Sequence, residues 1–459
     1  MSKYQAYAEY KNINNKWLDK IPSHWEITHI KHILSMPITD GPHSTPIFLD
    51  EGIPFVSAEA VSSGRINFNK IRGHISEKDD EIFSQKYSPR LHDVYMIKSG
   101  ATTGITAIVE TQKRFNIWSP LAVMRCKESY NPYFLLNSLR SDFFQKSVQL
   151  SWTFGTQQNI GMGTLENLTV CYPPLAEQTQ IAVFLDYETA KIDTLIEKQQ
   201  QLIKLLKEKR QAVISHAVTK GLNPQAPMKD SGVEWLGEVP EHWRTAPLKH
   251  ISKIRYGIGE PPKYRDSGIP LIRATNIRSG KISEVNLVLV DPNDIPSQRI
   301  VWLTEGDIIV VRSGAGTGDS SIIPRNYAGS IAGFDMVVSP TKCTPRFLGY
   351  ALLSNYIRNN QIDLEKTRAA QPHLNAEELG DCFVLLPSET EQDSISNYIE
   401  QESFKFDVLI NKATSTITLM QERRTALISA AVTGKIDVRN WIAPTTSSDE
   451  NEAAQEVTA

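Results

Sequence analysis

The chain has 459 residues, 40% hydrophobic and 22% charged, with a mean hydropathy of -0.30, which fits two or three folded units and excludes fibrous and largely disordered classes. It holds no run of about 18 uncharged apolar residues and no apolar core near its N-terminus, so a cytoplasmic protein with no membrane segment is expected. The net charge is -3, but the last sixteen residues carry four acids and no Lys or Arg, leaving the body at +1; such a body offers little general attraction to a phosphate backbone.

In chain order, a polar loop around Gly41-Pro42 comes first, with Thr39, His43, Ser44 and Thr45. Asp93 to Lys98 is a short β-rich run entering the glycine turn Ser99-Gly100-Ala101-Thr102-Thr103-Gly104, and Tyr133 to Phe144 reads as helical. After Pro173-Pro174 a long helical pattern places Ile181, Leu185, Glu188, Ile192, Leu195, Gln199, Leu202, Leu206, Lys209 and Val213 at alternating spacings of three and four, a heptad seam that Gly221-Leu222-Asn223-Pro224 stops. The series then recurs. Asp307 to Arg312 enters Ser313-Gly314-Ala315-Gly316-Thr317-Gly318, Phe347 to Tyr356 reads as helical, and Cys382 to Leu386 as a strand. Beyond Pro387 a second seam runs through Ile395, Ile399, Glu402, Phe406, Leu409, Ala413, Thr416, Met420, Arg423 and Leu427 to Gly434. The acidic tail reads as a solvated, disordered end.

The recurrence is an internal repeat, which is the feature to settle before any motif. Pro22-Ser23-His24-Trp25 returns as Pro240-Glu241-His242-Trp243, Gly52-Ile53-Pro54 as Gly268-Ile269-Pro270, and Glu208-Lys209-Arg210-Gln211-Ala212-Val213-Ile214-Ser215 as Glu422-Arg423-Arg424-Thr425-Ala426-Leu427-Ile428-Ser429, all at offsets of 214 to 218. Residues between the anchors share little, so one scaffold presents two different surfaces. The predicted fold is α+β: two tandem globular domains at 1–173 and 223–386, two long helices at 174–222 and 387–436, and a tail at 437–459. Two weak seams in one chain pair at high effective concentration, so the helices are expected to pair with each other. A helix of about 40 residues is roughly 60 Å long, the length of about 17 base pairs.

No catalytic constellation emerges. The four cysteines are far apart and read as reduced thiols. Arg312 to Asp319 is glycine-rich but lacks the Gly-Lys-Ser/Thr ending of a phosphate loop and the third glycine of a dinucleotide fingerprint. Asn131-Pro132-Tyr133-Phe134 faintly resembles the Asn-Pro-Pro-Tyr/Phe element of amino-methyltransferases, without a glycine-rich cofactor loop before it. His24 and His242, each before a repeated Trp, read as structural.

The order of variable globular part and near-identical helix, with Pro-x-His-Trp, Gly-Ile-Pro, Ser-Gly-Ala-x-Thr-Gly and Glu-Lys/Arg-Arg-x-Ala-Val/Leu-Ile-Ser in both copies, resembles the specificity subunit of type I restriction-modification enzymes over residues 11 to 436. The resemblance implies two target recognition domains, each reading one half of a bipartite double-stranded DNA sequence. It also implies an antiparallel coiled coil that sets the gap. The chain itself would be non-catalytic and hold no cofactor. Its partners would be two modification subunits that methylate adenine with S-adenosylmethionine, and restriction subunits that use ATP and Mg. The competing expectation, from another class, is a coiled-coil adaptor whose globular ends bind proteins.

Base edges are read by Arg, Lys, Asn, Gln, Ser and Thr, and phosphates by Lys, Arg and backbone N–H groups. The candidates in the first copy are therefore Thr39, His43, Ser44, Thr45, Lys98, Ser99, Thr102, Thr103, Gln157, Gln158 and Asn159. Those in the second are Tyr256, Lys263, Arg273, Arg278, Arg312, Ser313, Thr317, Gln371 and His373. Arg255 to Lys281 holds six basic residues against two acidic ones, a footprint for an anion or a solvated face. For the Ser-Gly-Ala turns the plain alternative is a β-turn that needs glycine dihedrals. Lys209, Arg210, Ile214, Arg423, Arg424 and Ile428, equivalent on the two helices, are the candidates for contact with partner subunits.

Overall fold

The structure is a computed structural model that describes residues 4–15, 17–154, 158–233, 236–363 and 373–444. Two helices dominate it: α1, Leu175–Lys220, and α2, Glu389–Val432. Each begins just after the predicted prolines and ends before a glycine in the left-handed region, Gly221 at φ 73° and Gly434 at φ 70°, the conformation that lets a helix terminate without a β-carbon clash. The chain packs as two compact units that divide inside these helices: residues 1–199 with 415–459, and residues 200–414.

Each unit is built on a four-stranded antiparallel sheet. In the first, β1 (Thr39–Asp40), β2 (Val94–Ile97), β3 (Thr106–Ile108) and β4 (Leu121–Met124) lie in the order β1-β4-β2-β3. In the second, β5 (Ser252–Tyr256), β6 (Ile308–Val310), β7 (Ser320–Ile322) and β8 (Met336–Pro340) repeat that order as β5-β8-β6-β7. Successive side chains of a strand point to opposite faces, and both faces here are buried. Val94 and Met96 enter one core with the helices while Tyr95 and Ile97 enter another; Ile308 and Val310 separate from Ile309 and Val311 in the same way. That is why these strands read as continuous apolar runs instead of alternating ones.

The predicted helices at 133–144 and 347–356 are each broken in two, into Pro132–Arg140 and Asp142–Leu150, and Pro345–Leu353 and Asn355–Ile357. The break falls at Ser141 and Ser354, both extended, and Ser141 caps the following helix by accepting from the Phe144 N–H at 3.3 Å. Cys382 to Leu386 supplies the strand Phe383–Leu386, paired with Arg244–Pro247.

The helical segments within each unit run antiparallel. Asp193 of α1 pairs with Arg424 of α2 at 2.8 Å in the first unit, and Arg210 of α1 pairs with Asp407 of α2 in the second. The seam differs in detail from the heptad reading. Leu195, Leu202 and Leu409 are 42%, 43% and 47% exposed, and their neighbours Ile196, Ile203 and Ile410 turn inward instead. Ile196, Gln199, Ile203, Leu206 and Arg210 keep the alternation of three and four, with the second position of each heptad one residue further along than the leucines suggest.

Candidate nucleic-acid interface

In the first unit the strand pairing gathers most of the first-copy candidates. β2 runs into the turn Lys98 to Gly104, where Gly100 (φ 99°) and Gly104 (φ 96°) take conformations that only glycine adopts at low cost. The Thr103 hydroxyl closes the turn by donating to the Gly100 carbonyl at 2.7 Å. The plain β-turn reading therefore accounts for the glycines and for Thr103. Residues 158–160 lie along the turn: the Gly100 N–H donates to the Gln158 carbonyl at 3.0 Å, and the Ile160 N–H to the Lys98 carbonyl at 2.9 Å. Ser99 bridges to Asn159. Gln158 and Asn159 are exposed; Gln157 lies outside the described residues.

Thr39 is paired on β1, opposite Val123, and the loop after it carries exposed His43, Ser44 and Thr45. Asp40, wholly buried, faces two ammonium groups, Lys86 and Lys98 at 3.1 Å, and the His43 ring at 3.1 Å. Burial alone pushes its carboxyl up, but the Lys86 and Lys98 hydrogen bonds outweigh this and hold it below the ordinary aspartate range. Lys98 is thus spent on an internal pair, and the sequence reading had no signal for Asp40 or Lys86. Replacing Lys98 by alanine is expected to cost about 1 to 3 kcal/mol at neutral pH, less than a fully stranded buried charge because Lys86 remains. A depressed carboxyl contributes stability above its unfolded value, near 3.8, and loses it as pH falls through the folded one. The Lys98→Ala penalty in thermal unfolding should therefore shrink under acid; a penalty independent of pH would contradict the pairing.

The second unit builds the same frame with different side chains. Gly314 (φ 87°) and Gly318 (φ 83°) set the turn, and the Thr317 hydroxyl donates to the Gly314 carbonyl at 2.7 Å. Ser313 bridges to His373, and the Leu374 N–H donates to the Arg312 carbonyl at 2.8 Å. Arg312 stands where Lys98 stands, and Tyr256 where Asp40 stands, each opposite the matching residue of the neighbouring strand. The Arg312 guanidinium packs against the rings of Tyr256 and Phe334, 4.7 and 4.2 Å from their centroids, and its Nη2 lies 3.3 Å from His373 Nε2. Gln371 lies outside the described residues.

The basic run from Arg255 to Lys281 is partly neutralised. Arg255 faces Asp307, Arg265 makes a two-pronged pair with Asp294, and Lys281 pairs with Asp407 at 2.6 Å. Arg273 lies over Tyr264 and donates to the Asn286 carbonyl at 2.6 Å, while Lys263 and Arg278 are exposed.

Repeated polar contacts outside these turns are structural. His24 Nε2 and Trp25 Nε1 meet Glu177 at 2.9 and 3.1 Å, and His242 and Trp243 meet Glu391 at the same distances. Asn131, of the methyltransferase-like tetrad, is a helix cap whose Oδ1 accepts from the Tyr133 and Phe134 N–H groups. Among the described residues no cluster of His, Cys, Asp and Glu could hold a metal ion, and no helix is long and apolar enough to cross a membrane.

Residues 22–205 match the family described as "Type I restriction modification DNA specificity domain". The specificity subunit of the type I restriction enzyme EcoKI, from Escherichia coli strain K12, is 21% identical over 95% of this chain and 94% of its own length. The chain thus resembles the type I restriction-modification specificity subunits along nearly its whole length. The EcoBI specificity subunit of Escherichia coli is 26% identical over 72% of this chain and 71% of its own. A solved chain from a study of complex assembly and conformational transition of the type I R-M system has a TM-score of 0.65 at 16% identity, covering 91% of this chain and 99% of that one, so the fold is shared.

The helix residues expected to meet partner subunits are distributed unevenly. Ile214 and Ile428 are buried in the cores of the second and first units, and Arg210 and Arg424 are engaged with Asp407 and Asp193. These four serve the chain's own packing. A helix packed on two sides buries more positions than its seam predicts, which a heptad pattern does not reveal. Lys209 and Arg423 are exposed.

Proposed function

We propose that each unit reads one half of a bipartite DNA sequence, and that the chain directs partner subunits to it without catalysing the reaction. The observation that carries this reading is the pair of equivalent turns, one scaffold with the same glycine geometry but Lys98 over Asp40 in one copy and Arg312 over Tyr256 in the other. A conserved frame with exchanged polar groups is how two readers of different base sequences would be made from one fold, because base edges are distinguished by side-chain donors and acceptors while the backbone only positions them. The near-neutral body supplies few phosphate contacts, so tight binding belongs to the assembled complex with two modification subunits. Methylation of adenine with S-adenosylmethionine, and ATP- and Mg-dependent cleavage by restriction subunits, would take place on those partners, in the cytoplasm.

Exchanging Tyr10 to Pro173 for the matching part of another specificity subunit, leaving both helices in place, is expected to change one half of the methylated sequence. The other half and the gap should stay as they were. Sequencing of methylated adenines in cells expressing the complex reads this directly, and a swap that altered both halves would sink the two-reader reading.

A further inference from the structure

We infer that Arg312 reads a guanine in the half-site recognised by the 200–414 unit, with Tyr256 and Phe334 as the braces that aim it. Arg312 sits at the end of β6 at the entry to a glycine turn, and its guanidinium packs against two aromatic rings that are themselves 43% and 47% exposed. Large aromatic surface left in solvent around a cation is costly unless something covers it. Its Nε is buried with no hydrogen-bond partner, while Nη2 points to His373 at 3.3 Å. Ring packing holds the plane of the guanidinium and leaves its edge to make contacts. A fixed planar edge with parallel N–H donors matches the O6 and N7 acceptors of guanine, the commonest specific arginine contact in the major groove.

The first unit treats the equivalent position differently. There the equivalent cation, Lys98, is 13% exposed and paired with buried Asp40, so its charge is consumed within the protein. In the second unit the equivalent of Asp40 is Tyr256, whose hydroxyl is turned to the backbone, accepting from the Ala376 N–H at 2.9 Å. The nearby carboxylate, Asp335, is contacted by the Arg312 backbone N–H at 3.2 Å. The two turns therefore differ in how the cation is held: Lys98 is paired directly with a buried carboxylate, whereas Arg312 is braced by two rings and meets Asp335 through its backbone N–H and at longer range through charge. Lysine is a poorer fit at such a position, since its flexible ammonium has no planar fork for the two rings to align.

The inference rests on the half-site reading above, and the two fail differently. The assembled methyltransferase complex, wild type or Arg312→Gln, is titrated on duplexes carrying the methylated motif, with each guanine of the half retained in the domain swap replaced in turn by 7-deazaguanine, which lacks the N7 acceptor. Wild type is expected to lose roughly tenfold or more in affinity at one guanine. The Arg312→Gln complex should be indifferent to the deaza substitution there, and its methylated sequences should relax toward adenine at that position alone. Arg312→Lys should discriminate guanine less sharply than wild type, because the rings cannot brace an ammonium. A retained half-site with no guanine sensitive to the loss of N7 would overturn the inference without any variant needing to fold. So would a uniform drop in affinity for all sequences in Arg312→Gln, the mark of a phosphate contact. If no bipartite motif is methylated at all, both this inference and the half-site reading fall.

Discussion

Gly257→Ala is expected to lower stability by about 3 kcal/mol or more, the cost of an insertion the backbone must move to accept. Gly257 follows Tyr256, and its N–H donates to the Asp335 carbonyl at 2.8 Å. A β-carbon built there would fall inside the carbonyl oxygen of Gly333 and lie 3.0 Å from that of Ala332. Neither neighbour is the far end of a flexible side chain, so the segment must shift, taking with it Tyr256 and Phe334, the two rings that hold Arg312. Gly41 occupies the same place in the first unit, where a β-carbon would meet the Ile117 carbonyl and Trp118. By contrast Gly314, with open space around it and φ at 87°, should cost only about 1 kcal/mol on conversion to alanine, since the penalty is conformational alone. Thermal unfolding of the three variants in the full chain orders them; Gly257→Ala melting with the wild type would remove the close-approach argument.

Trp25→Ala should destabilise the chain by about 3 to 5 kcal/mol, the range for emptying a large core site. Trp25 is wholly buried, and its indole N–H is one of the groups that satisfy Glu177, which is 6% exposed. His24 lies 2.9 Å from the same carboxylate and the Tyr7 hydroxyl donates to it. Removing the indole therefore leaves a cavity and also weakens the solvation of a buried carboxylate by one donor. Trp25→Phe keeps most of the volume and should cost nearer 1 to 2 kcal/mol, mainly the lost hydrogen bond to a charged acceptor. The equivalent Glu391 is 28% exposed, so water can replace a lost donor there. Trp243→Phe is accordingly expected to be milder than Trp25→Phe, while the alanine variants should be alike. Denaturant unfolding of the four variants measures the difference, and equal penalties for the two phenylalanine variants would show that carboxylate burial is not the cause.

The candidate interface was only partly legible in the amino-acid order. The glycine turns announced themselves, because a left-handed backbone restricts residue choice to a type that can be read directly, and both copies carry it. Arg312 and His373 were both named as candidates, but their contact was not visible, since they are 61 positions apart. Asp40 and Lys86 were missed altogether. A lone aspartate after a threonine and a lysine before a tyrosine carry no local sign of meeting, and it is the β1–β4 pairing that brings Asp40 beside Lys98.

The repeat, the two long helices and their ends, and the apolar strands were legible in the amino-acid order, because each rests on short-range regularity: a recurring anchor, a helical period, or a proline before and a glycine after. Packing in three dimensions set the rest: Ile428 to Val438 complete the core of the first unit and Ile214 to Val218 that of the second, Leu195 and Leu202 leave the seam, and Lys98 is neutralised while Arg312 is braced. These outcomes depend on which distant surfaces meet. Spacing along a chain specifies the face a residue occupies on its own element, but the partner across that face is chosen by packing among segments that are distant in the sequence.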